Sequence, residues 1–130
     1  MSGYQFEGIV PDSALRHIAE FLWEQSPGHD RGAYSKVLVS GQREGTNLDF
    51  RISSYEPHAG VDGHLHEAKE QIYYFLSGEG LLQIGNEKVI TRPHSFVHIE
   101  PGVPHSLINT GLTNLVFLVI TALVPQSDAD

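Results

Sequence analysis

Residues 60–80 read GVDGHLHEAKEQIYYFLSGEG, and the alternation inside that stretch decides the fold class. Gln71, Tyr73 and Phe75 share one parity and Glu70, Ile72 and Tyr74 the other, the period of two expected of a strand with two different faces. Ser77-Gly78-Glu79-Gly80 closes the run with turn chemistry. Upstream, His64 and His66 stand two residues apart, so on a strand both imidazoles point to one face while Leu65 faces away. Gln71, and His105 from the loop Pro101-Gly102-Val103-Pro104-His105, supply further donors if a neighbouring strand brings them alongside. Three neutral nitrogens and one amide oxygen suit a single divalent first-row transition metal, with zinc, nickel, manganese, iron and copper all compatible. A metal site at His64, His66, Gln71 and His105 is the leading expectation.

Outward from this stretch, short runs rich in Val, Ile, Tyr and Phe recur at spacings of about ten residues, the pattern of an all-β domain. Strands are expected near 34–40, 48–55, 62–66, 71–76, 80–84, 87–91, 96–99, 105–109 and 115–124. Turn residues separate them at 41–47, at Gly85-Asn86 and at Asn109-Thr110-Gly111. The last run is apolar on both parities and reads as a strand covered on both faces. Before the strands, Leu15, Ile18, Ala19 and Leu22 fall at helical spacing, with Asp12 or Ser13 as cap and Ser26-Pro27-Gly28 as stop, so a short N-terminal helix is expected over about 11–26. Many short antiparallel strands fit a jelly-roll barrel spanning about 33–125, within a single domain of 130 residues.

Bulk properties narrow the function. The formal charge of −8 repels phosphate backbones, and Lys and Arg are scattered, so nucleic acid is not an expected partner. No run reaches the roughly 18 consecutive apolar residues of a membrane span, and the first ten residues lack a signal-peptide pattern. With no cysteine, a reduced cytoplasmic location is the default expectation.

Taken together, these residues resemble the cupin superfamily. Its first motif, a glycine-led His-x-His with a Glu or Gln several residues later and a closing Gly, is similar to Gly60, His64, His66, Gln71 and Gly78. Its second, Pro-x-Gly-x-x-His-x-x-x-Asn, resembles residues 100–109, with Glu100 where a proline usually stands and Pro101 one place later. The family's carboxylate ligand commonly lies five residues after the second histidine and seven before the hairpin glycine; both counts land on Gln71 rather than Glu70. The resemblance implies a cupin-type double-stranded β-helix, one bound divalent metal and a homodimer. Similar small cupins include uronate-linearising proteins, aromatic polyketide cyclases and hydroxynitrile lyases, in which the metal acts mainly as a Lewis acid.

Around that set, Tyr73 and His98 are the candidate catalytic residues. Tyr73 shares the parity of Gln71 and offers a hydroxyl as proton donor or substrate anchor, although such aromatics more often serve as core. His98 alternates with Val97 and Ile99 on a strand leading to the His105 loop, and its face is open. Arg51 either binds a substrate carboxylate or forms a salt bridge. His17, His29, His58 and His94 lack metal-like spacing and read as surface residues. The expected function is Lewis-acid chemistry on a small oxygenated substrate, giving isomerisation, cyclisation or elimination. A metal-dependent dioxygenase and a non-catalytic ligand-binding or sensor module are the alternatives.

Overall fold

The computed structural model describes residues 14–25, 28–29, 31–64, 66 and 68–124. Ten strands are formed in it: β1 Glu24–Gln25, β2 Ala33–Val39, β3 Leu48–Tyr55, β4 Gly60–His64, β5 Lys69–Ser77, β6 Gly80–Ile84, β7 Glu87–Thr91, β8 Phe96–Ile99, β9 His105–Ile108 and β10 Leu115–Leu123. They make two antiparallel sheets, one in the order β1-β2-β3-β10-β5-β8 and one in the order β4-β9-β6-β7. Five of the eight strand pairings join strands that are not neighbours in sequence, as in a jelly roll.

Parity decides which residues fill the space between the sheets. Tyr73 and Phe75 of β5, Leu115 and Phe117 of β10 and Tyr55 of β3 are all buried, and Leu82 and Leu107 meet them from the smaller sheet. Phe75 and Phe117 stand directly opposite in the β5–β10 register with ring centroids 5.4 Å apart. Such aromatic pairs contribute roughly 0.5–1.5 kcal/mol beyond their buried area.

Two glycines of the first motif have steric reasons. A Cβ on Gly60 would collide with the Leu107 carbonyl of the adjoining β9. Gly78 has φ +83 and lies against the Asn114 backbone, so its left-handed turn has no room for a side chain. Asn109, the last residue of the second motif, is fully buried and acts as a three-way tie. Its Nδ2 donates to the carbonyls of Tyr55 and Thr113, each at 2.8 Å, and its Oδ1 accepts from Gly111 N at 2.8 Å.

The N-terminal expectation needs correction. No α-helix forms in 14–25; only a 3-10 turn, Ile18–Glu20, is present, while residues 11–13, 26 and 27 lie outside those described. His17 caps that turn through Nδ1, which accepts from Ala19 N at 2.9 Å, and Phe21 is already extended. Helices of this length depend on burying an apolar face, and here Leu15 and Leu22 are 71% and 82% exposed. The chain instead pairs Glu24 and Gln25 with β2, and Lys36 ties the turn down by donating to the Ile18 carbonyl at 3.1 Å. The 41–47 link holds a further single helical turn, α1 Gly41–Glu44, which Ser40 caps by accepting from Arg43 N. The last strand is buried on its inner face only, since Ile120 on the other parity is 38% exposed.

Asn109→Ala should lower unfolding stability by about 2–4 kcal/mol, because two carbonyls and one N–H would lose buried partners. Urea denaturation followed by circular dichroism measures it; a loss below about 1 kcal/mol would contradict the tie.

Candidate metal centre

β4 and β9 lie side by side, with His64 directly opposite His105 in the register. Opposed residues of an antiparallel pair have Cα atoms about 4.5–5.5 Å apart, so the two motifs meet at the backbone level. The side chain of His64 falls outside the described residues. β4 ends at His64, and His66 is therefore delivered by the following loop rather than by the strand as parity had suggested. A backbone bond positions it: Gly102 N–H in the second-motif loop donates to the His66 carbonyl at 2.7 Å.

His105 is 3% exposed. Its Nδ1 lies 2.9 Å from the Val103 carbonyl. A carbonyl only accepts, so Nδ1 carries the proton and Nε2, itself buried, keeps its lone pair. This is how metal-ligating histidines are usually oriented. The His105 ring centroid lies 6.1 Å from that of His66 and 6.1 Å, edge-on, from that of Tyr73.

Gln71 faces inward from β5, as its parity predicts. Its cross-strand partner is Thr121 of β10, and Gln71 Nε2 donates to Thr121 Oγ1 at 3.0 Å. That bond sets the amide's orientation and leaves Oε1 buried with no hydrogen-bond partner. Leaving such an acceptor unsatisfied costs about 1–3 kcal/mol, and an orphaned buried oxygen of this kind is of a type that suits a bound cation. Among the described residues no three His, Asp or Glu side chains converge on a metal position. The donor types of His66, Gln71 and His105 suit a divalent ion, and the register sets His64 opposite His105.

His66, Gln71 and Tyr73 line a cavity of about 490 Å³ between the sheets, and the inner face of β3, two strands along from β5 in the same sheet, adds Asp49, Arg51 and Ser53. Arg51 donates from Nε to Asp49 Oδ1 at 2.6 Å and from Nη2 to Oδ2 at 2.9 Å. The Asp49 hydrogen bonds push the Arg51 guanidinium further up, so its charge is permanent. Burial pushes the Tyr73 phenol well above its ordinary range, which keeps the hydroxyl protonated. His29 also lines the cavity, with its ring 6.0 Å from that of Tyr55, and so is not the plain surface residue its spacing suggested.

His98 is not brought to this site. It faces outward from β8, with Nε2 2.7 Å from Glu70 Oε1 on the neighbouring strand and both side chains substantially exposed. The register explains this: His98 pairs with Ile72, which has the outward parity of β5. Its expected role as a base in the cavity is therefore replaced by a surface contact. Glu70 is likewise turned away from the metal position, which leaves Gln71 as the donor on that strand.

Comparison with known proteins agrees with this geometry. A family model described as a cupin domain matches residues 51–121. An oxalate-binding protein from Thermotoga maritima is 35% identical over 75 residues, which is 58% of this chain and 62% of that protein. The chain thus spans less than two thirds of that relative's length. A crystal structure described as a predicted oxalate decarboxylase from Thermotoga maritima superposes with a TM-score of 0.78 at 26% identity, covering 85% of this chain and 99% of that one. A polyketide cyclase from Streptomyces resistomycificus has the same fold, with a TM-score of 0.69 at 20% identity over 88% of this chain and 87% of that one.

Glu70→Ala and His98→Ala should each change stability by less than about 1 kcal/mol, the range of exposed ion pairs. Thermal melts of the two variants check this, and a loss above about 2 kcal/mol in either would show a structural role that the exposed geometry does not predict.

Proposed function

The chain belongs to the cupin family, and from that premise we propose that it binds one divalent transition metal through His64, His66, Gln71 and His105 and acts on a small oxygenated organic substrate. The observation that carries this reading is the buried, unpartnered Oε1 of Gln71, held in orientation by Thr121 on the cavity wall that His66 also lines. Bound there, such an ion would supply Lewis acidity toward a carbonyl, enol or hydroxyl oxygen.

The chain's own residues set the character of that site. Three imidazoles and an amide are neutral, so they leave a dication its full charge, whereas a glutamate in place of Gln71 would reduce it by one unit. The Val103 carbonyl holds His105 in the tautomer that presents Nε2, and Thr121 holds Gln71 so that it presents oxygen. Tyr73 contributes a neutral hydroxyl on the same inner face and is the candidate proton donor. Buried Phe117 lines the cavity, with Phe75 packed against it. Isomerisation, cyclisation or elimination without net oxidation fits these parts. The same neutral donors disfavour the ferric state, which weighs against the dioxygenase alternative.

A stoichiometric binding module is the second reading, favoured by the relative described as oxalate-binding. Turnover against one-to-one binding separates the two. We further propose a homodimer, with exposed Ile72, Ile120 and Phe96 on the outer face of the larger sheet as the surface it would cover.

Elemental mass spectrometry on untagged, anaerobically purified protein tests the site. Wild type and Glu70→Ala should each carry about one metal equivalent, while His64→Ala and His105→Ala lose most of it. Thr121→Val should weaken metal affinity roughly 10–100-fold by releasing the Gln71 amide. Retention of metal in both histidine variants would overturn the assignment.

A further inference from the structure

β3 places Asp49, Arg51 and Ser53 on its cavity-facing parity together with Tyr55, while Phe50 and the buried Ile52 take the other. Charged groups on an inner face lose hydration that apolar residues would not miss. Local violations of this kind are expected where a site is served.

The β3 groups are in register with the metal wall. Across the sheet, Arg51 pairs with Val119, which pairs with Tyr73, and Asp49 pairs with Thr121, which pairs with Gln71. Two strand spacings separate Arg51 from Tyr73, or roughly 10 Å between backbones, and both side chains reach into the same cavity. That interval leaves space for a short organic molecule between the guanidinium and the Gln71 amide.

The guanidinium is presented in a defined way. Asp49 engages Nε and Nη2, and no other described residue accepts from Arg51, so three of its five N–H groups remain for a ligand. Among the described charged residues that line the cavity, Arg51 and Lys69 are matched in number by Asp49 and Asp62, and Glu24 also acts on Arg51. The neutral donors would leave a bound dication its full charge at the other end. A fork-shaped donor set at one end and a dication at the other match a dianion.

We propose that the cavity takes a short organic acid bearing a second, distal carboxylate: one oxygenated end lies at His66, Gln71 and His105, and the distal carboxylate sits on Arg51. Asp49 acts as a positioning residue that fixes the edge of the guanidinium turned to the ligand. This rests on the metal reading above for the first end only; the distal contact stands on the β3 geometry.

Isothermal titration calorimetry with two matched pairs of probes tests it: malate against 2-hydroxybutyrate, and 2-hydroxyglutarate against 2-hydroxyvalerate. Each pair differs at the far end alone, where a carboxylate replaces a methyl group. In the metal-loaded wild type, at least one dicarboxylate should bind about tenfold or more tightly than its partner, as a charge-assisted forked contact predicts. Arg51→Met should abolish that preference while keeping its metal. Because this change leaves Asp49 unpaired, Asp49→Asn/Arg51→Met is measured in parallel and should behave alike. No preference in the wild type, or a preference that persists in both variants, overturns the proposal. Elemental analysis of each sample before titration reports failure of the metal reading separately, since protein without metal that still prefers the dicarboxylate through Arg51 retains the distal subsite and loses only the other end.

Discussion

The contact between Phe75 and Phe117 holds the rest of the site in place. Both rings are buried, and they face each other across β5 and β10, with a register shift just before Phe117. Side chains on a strand alternate strictly, so locking Phe75 inward also turns Tyr73 and Gln71 inward and sends Glu70, Ile72 and Tyr74 out. Slipping either strand by one residue would put Gln71 in solvent and part it from Thr121. An interaction of the apolar core thereby selects the amide, rather than the neighbouring carboxylate, as the group offered to the cavity.

Much of this was legible from sequence, for a physical reason. The strands from β2 onward alternate or carry continuous apolar runs, and Gly and Asn mark their breaks, so their positions and the face of Gln71 followed from periodicity. The helix was not legible, because its stripe of Leu15, Ile18, Ala19 and Leu22 met the same periodic test without a core to receive it. Local pattern reports which face would be buried; it does not report whether a partner surface exists. β3 was legible only in part. Its sequence left Arg51 open between a substrate contact and a salt bridge, and only the fold shows that it pairs with Asp49 on the cavity side.

The two histidine motifs show the same division. Spacing brought His64 and His105 into one expectation, and the β4–β9 register pairs them. Spacing also placed His66 on that strand, whereas β4 stops short of it and a bond from Gly102 sets its backbone. Thr121 had no signal at all, since its function depends on lying beside a residue fifty positions earlier. Contacts that long-range are set by topology, which one-dimensional periodicity does not encode.

The loop carrying His105 is held from two sides by main-chain bonds: Gly102 N–H to the His66 carbonyl at 2.7 Å, and Gly85 N–H in the β6–β7 turn to the Pro104 carbonyl at 2.8 Å. Main-chain groups are present whatever side chain a position carries. Substitution at Glu100 or Val103 can therefore vary size and polarity beside His105 while the frame stays put, whereas Gly102, with φ +82, is held to glycine. Inheritance can thus separate two properties, letting the loop's side chains drift as the scaffold of the donors is transmitted unchanged.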